Sequence, residues 1–107
     1  MPEKKKVGDY LELLVNTDEV AARAKAYVKG MEHKLKVIKA EEFLKAEVKS
    51  VAEKEAQAIS SPAHINAVNE YENAVYDNEL YHAQRKTAEL HIEVWRSHNA
   101  NKRSGNI

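Results

Sequence analysis

The sequence has no cysteine, three glycines, two prolines, one tryptophan and one phenylalanine in 107 residues. Without cysteine there is no disulfide framework, no cysteine-ligated zinc site and no thiol nucleophile. So little glycine and proline argues against an all-β fold, which needs a turn every ten residues or so. No stretch approaches the ~18 consecutive apolar residues of a membrane span. An excess of one charge is also missing: 17 Lys and Arg balance 17 Asp and Glu. The start Met1-Pro2-Glu3-Lys4-Lys5-Lys6 is charged like a signal peptide, but Asp9, Glu12 and Asn16 interrupt the apolar run that should follow. Together these absences predict a chain of a reducing, cytoplasmic compartment with no membrane partner.

What is present is helical. The apolar fraction, 43%, is too high for a disordered chain, and the length fits one domain over 1–107. Cap signals divide it. Asp9 with Glu12, Asn16 with Glu19, and Ser50 with Glu53 each have capping-box spacing, and Ser61-Pro62 is an N-cap followed by proline in the first helical position. They predict an all-α fold with short helices near 9–15 and 51–59 and long helices near 17–47 and 62–98. Residues 1–8 and 99–107 are expected to be flexible tails.

Val20, Ala24, Tyr27, Val28, Met31, Leu35 and Ile38 recur at helical spacing, and Tyr81, Ala88, Ile92 and Trp95 form a near-heptad stripe. Asn78 interrupts that stripe, where it either fixes register or faces water. Gly30 costs about 1 kcal/mol against Ala in a helix, unless it lets a neighbour approach closely. Helices of about 45 and 55 Å bury little alone. Folded back on each other they make an antiparallel long-helix hairpin, thin enough to predict completion of the core by homo-oligomerisation.

Charge is unevenly placed along the chain. Residues 1–19 carry net −2, 20–40 net +5, 41–80 net −6 and 81–107 net +3. An antiparallel hairpin that set 20–40 beside 81–103 would make a basic end of about +8 opposite an acidic turn. Lys and Arg attract phosphates, and an aromatic ring among them offers unpaired bases a stacking platform. The candidate nucleic-acid-binding residues are therefore Arg23, Lys25, Lys29, Lys34, Arg85, Lys86, Arg96, Lys102 and Arg103, with Tyr27, Trp95 and His98 nearby. Trp95 is also in phase with Ile92 and Ala88, which points to packing instead.

Other chemistry lacks its residues. Glu79 and His82 have the Glu-x-x-His spacing of di-metal bundles, but no second such motif exists; His91 and His98 alone make an incomplete ligand set. There is no Gly-rich phosphate loop and no G-x-S-x-G, and the serines sit at caps and in the tail. Neither an enzyme nor a metal or other cofactor is expected. The face of 20–38, rich in Ala, Val, Tyr and Met, suits another helix rather than lipid.

The ending Ile92-Glu93-Val94-Trp95-Arg96-Ser97, followed by Asn99-Ala100-Asn101-Lys102-Arg103, resembles the endings of small all-helical proteins of tailed phages and prophages. The Lys/Ala-rich stretch 20–47, Ser50 to Ala56 and the Tyr-rich stretch after them are similar in layout, so the likeness spans about 17–103. In layout the chain also resembles the recombination mediators of T-even phages, which are oligomeric, bind single-stranded DNA and help load a recombinase. The resemblance implies a phage-type DNA-metabolism accessory protein of the bacterial host cytoplasm, with Arg96, Lys102 and Arg103 facing DNA. The alternative is a helical protein–protein module: an adaptor, a host-factor inhibitor or a virion-associated part, bound to a phage or host protein.

Overall fold

A computed structural model describes residues 6–105. The chain is an all-α helical hairpin of three helices, α1 (Val7–Lys45), α2 (Val51–Ser60) and α3 (Pro62–Arg103), with no strand among the described residues. Among them no helix is long and apolar enough to cross a membrane.

Three of the expected boundaries move. The helices predicted near 9–15 and 17–47 are one helix. Asp9 is not its N-cap: its carboxylate accepts the Lys6 backbone N–H at 2.9 Å, the reach-back half of a capping box. The second cap signal, Asn16 with Glu19, falls inside the helix, where Thr17 Oγ1 donates instead to the Leu13 carbonyl at 2.6 Å. At the other end, α3 continues through 99–103, predicted as tail, and stops at Gly105. That glycine has φ +76° and donates its N–H to the Lys102 carbonyl at 3.2 Å, a left-handed cap. Residues 1–5 and 106–107 of the predicted tails lie outside the described residues.

The caps of α2 and α3 fall where the sequence predicts them. Ser50 Oγ accepts the Glu53 N–H at 3.1 Å. Ser61 closes α2 and opens α3 at once, donating its hydroxyl to the Ala58 carbonyl at 2.7 Å and accepting the His64 N–H at 3.2 Å. His64 adds a contact from Nδ1 to the Ile59 carbonyl at 3.0 Å, which requires the tautomer with the proton on Nδ1.

The inward positions repeat in steps of three and four. On α1 they are Tyr10, Leu14, Thr17, Ala21, Ala24, Val28, Met31, Leu35, Ile38 and Glu42; on α3 they run from His64 through Ala67, Tyr71, Ala74, Asn78, Tyr81, Arg85 and Ala88 to Ile92. This is a coiled-coil seam. Its most buried members are small: Ala67, Ala74 and Ala88 on α3, with Met31, Ile92 and Ala58 of α2. Alanine lets helix axes approach to the short end of the usual 8–10 Å, but contributes little apolar area.

The chain divides into two compact units, each a stretch of α1 beside a stretch of α3: residues 1–22 with 79–107, and residues 23–78. In the first, Tyr10 meets His91 while Arg85 meets Leu14, Thr17 and Asp18, so partner numbers fall as residue numbers rise and the helices are antiparallel. In the second, Tyr71 donates its hydroxyl to Glu32 at 3.4 Å and Lys34 pairs with Glu70 at 3.1 Å. Around the α1–α2 turn of this unit, Lys54 lies 5.7 Å over the Phe43 ring.

Candidate functional site

The nine candidate cations divide between the two units. Arg85, Lys86, Arg96, Lys102 and Arg103 belong to the first unit, and Arg23, Lys25, Lys29 and Lys34 to the second. The cause is the early start of α1: residues 7–22 already occupy the face of α3 that 20–40 was expected to cover. The basic stretch after Tyr81 therefore packs on an acidic one holding Asp9, Glu12, Asp18 and Glu19. In sequence each unit is neutral, eight cations with eight acids in the first and nine with nine in the second.

Several of the nine have other work. Arg85 points into the seam with its side chain 24% exposed. Its Nη1 donates to the Leu14 carbonyl and to Thr17 Oγ1, both at 2.8 Å, and its Nη2 pairs with Asp18 at 2.6 Å. A guanidinium held by three acceptors in a seam is a structural clamp. Lys34 pairs with Glu70 at 3.1 Å and Arg96 with Glu93 at 3.1 Å, both on exposed surface. Lys25, Lys29, Lys86, Lys102 and Arg103 are exposed, as is Arg23.

The aromatic side chains are also redistributed. Trp95, in phase with the seam, is 50% exposed. His91 stacks on Tyr10 with ring centroids 4.3 Å apart and planes 7° apart. The Tyr71 phenol is pushed up from its ordinary value, first by desolvation and then by the charge and hydrogen bond of Glu32.

The hollows are shallow. One of about 350 Å³ in the first unit is lined by Tyr10, Leu13, Thr17, Ala83, Gln84, Thr87 and Ala88. Another of about 380 Å³ in the second is lined by Lys36, Lys39, Ala40, Phe43, Leu44 and Glu55. Ser60 and Ser61, beside a third, donate their hydroxyls to backbone carbonyls. Among the described residues no three His, Asp or Glu side chains group to hold a metal ion. Gly30 has open space where a Cβ would sit, so no neighbour's close approach explains it.

The most extensive feature is apolar and exposed. In the first unit Leu80, Ala83, Thr87, Leu90 and Val94 repeat along α3 in alternating steps of three and four. At 3.6 residues per turn this stripe is centred about 150° from the seam of Tyr81, Arg85, Ala88 and Ile92. Leu80 is 43%, Leu90 58% and Val94 69% exposed. The helix thus has two apolar faces of the same period, one covered by α1 and one uncovered. The spacing is legible in the sequence, but the inner stripe by itself accounts for a hairpin. Compared with known protein families, with curated proteins and with solved structures, this chain matches none.

Proposed function

We propose that this chain is a helical protein–protein interaction module that binds through the outer face of α3. The observation that carries the reading is the second three–four repeat, Leu80 to Val94, whose Leu80, Leu90 and Val94 side chains are exposed. Apolar residues scattered singly on a surface are ordinary; four of them, Leu80, Ala83, Leu90 and Val94, in helical register on one face mark a place for another helix. The balanced charge of each unit removes the field that would attract a polyanion at long range.

A photo-reactive amino acid at Leu90 tests it. The expected result is a covalent adduct with a protein chain, and none from the same probe at Lys25. Protein adducts from neither position would contradict the reading.

A second reading keeps a specific observation. Trp95, His98 and Lys102 share one face of the last turns of α3 at spacings of three and four, with Arg96 and Arg103 adjacent. That is a cation beside an exposed ring, the arrangement a single-stranded nucleic acid stacks on. It supports a phage-type recombination accessory role. A labelled oligonucleotide shifted at low salt, with a log–log salt slope near −0.7 per phosphate and loss of the shift in Lys102→Ala/Arg103→Ala, is its signature.

A further inference from the structure

We infer that the occupant of the outer α3 face is a second copy of this chain, packed antiparallel about a two-fold axis near Leu90. The inference rests on the protein-binding reading of that face and names the partner.

Charge identifies it. One border of the stripe carries Glu79, Lys86 and Glu93, alternating in sign at seven-residue intervals. A two-fold axis across an antiparallel pair sets this border against the same border of the partner copy. With Leu90 near the axis, Lys86 of each copy faces Glu93 of the other, and the contact is made twice. Glu93, already paired with Arg96 in its own chain, then joins a three-charge chain across the interface. In a parallel pair the same border meets Gln84 and His91, and Lys86 gains no acid.

This arrangement also places Leu90 and Val94, 58% and 69% exposed, against Leu90 and Thr87 of the partner copy. Four helices then share one bundle, with the outer stripes of the two α3 helices forming the central seam.

The test uses the full chain and its lack of cysteine. Light scattering at about 100 µM is expected to give twice the monomer mass, falling toward the monomer near 1 µM, the affinity range of a small interface. Leu90→Glu is expected to give a monomer with unchanged helical circular dichroism, since that side chain is 58% exposed in its own chain. Lys86→Glu is expected to weaken the dimer roughly tenfold, and Lys86→Glu/Glu93→Lys to restore it. Leu90→Cys is expected to oxidise to a linked dimer faster than Ala83→Cys. A monomer at every concentration overturns the inference, as does a dimer that Leu90→Glu leaves intact or one that Ala83→Cys links faster. If the chain is monomeric while the Leu90 photo-probe captures a different protein, the inference fails and the protein-binding reading stands; if the probe captures no protein, both fail.

Discussion

Arg85 separates a structural cation from a nucleic-acid ligand. Replacing it with Ala removes three interactions at once. The bonds to the Leu14 carbonyl and Thr17 hydroxyl are part-buried and contribute about 1 kcal/mol each. The ion pair adds less, because the Asp18 side chain is 65% exposed and solvent screens it; at most about 1 kcal/mol is reasonable. Arg85→Ala is therefore expected to cost about 2–3 kcal/mol, or roughly 10–20 °C in Tm for a chain of this size. Arg85→Lys keeps the charge but cannot span both Thr17 and Asp18, and falls between Ala and wild type. Asp18→Asn is the mildest, about 0.5 kcal/mol. Thermal and urea unfolding followed by circular dichroism, at one fixed protein concentration, gives the ranking. Arg85→Ala within 0.5 kcal/mol of wild type, together with a loss of oligonucleotide binding, would refute the clamp and return Arg85 to a ligand-binding role.

Other outcomes follow from the seam and the caps. Gly30→Ala is expected to stabilise by about 0.5–1 kcal/mol, because the added methyl enters open space in a helix interior, whereas Ala88→Leu should destabilise by about 1–3 kcal/mol by overfilling the seam; urea unfolding of both checks the pair. Ser61→Ala should cost about 1 kcal/mol, as the same hydroxyl ends α2 and starts α3. Tyr71 favours its neutral form in the folded chain, so the stability from this contact is full below the ordinary pKa of 10.0 and is lost as pH rises through the higher folded value. Phenolate absorbance, read as the difference between wild type and Tyr71→Phe, is expected to show that upward shift, and Glu32→Gln to reduce it.

The parts of the fold legible in the sequence were those encoded locally and without competition. Ser50 and Ser61-Pro62 mark true boundaries because an interruption or a proline accompanies each. Asn16 with Glu19 has the same spacing but lies in an unbroken helical stripe from Tyr10 to Thr17, and the tertiary seam overrides it. That single difference propagated. With Val7–Asn16 joined to α1, the pairing partner of 81–103 changed from a basic stretch to an acidic one, and the shared basic end disappeared. Trp95 is in phase with the seam yet half exposed, which its spacing does not reveal. The clamp role of Arg85 is not legible in the sequence, because a charged residue at a seam position is uncommon and its partners, Leu14, Thr17 and Asp18, are about seventy residues away and unreadable until the register is known.

That a second copy covers the outer face of α3 is tested most directly by the alkylation rate of a thiol at Val94→Cys, compared with Lys102→Cys on the same helix. Covered by a second copy, the Val94→Cys thiol reacts at least about tenfold more slowly at 100 µM chain than at 1 µM, while Lys102→Cys does not change. Equal rates at both concentrations, with Val94→Cys as reactive as Lys102→Cys throughout, would contradict it.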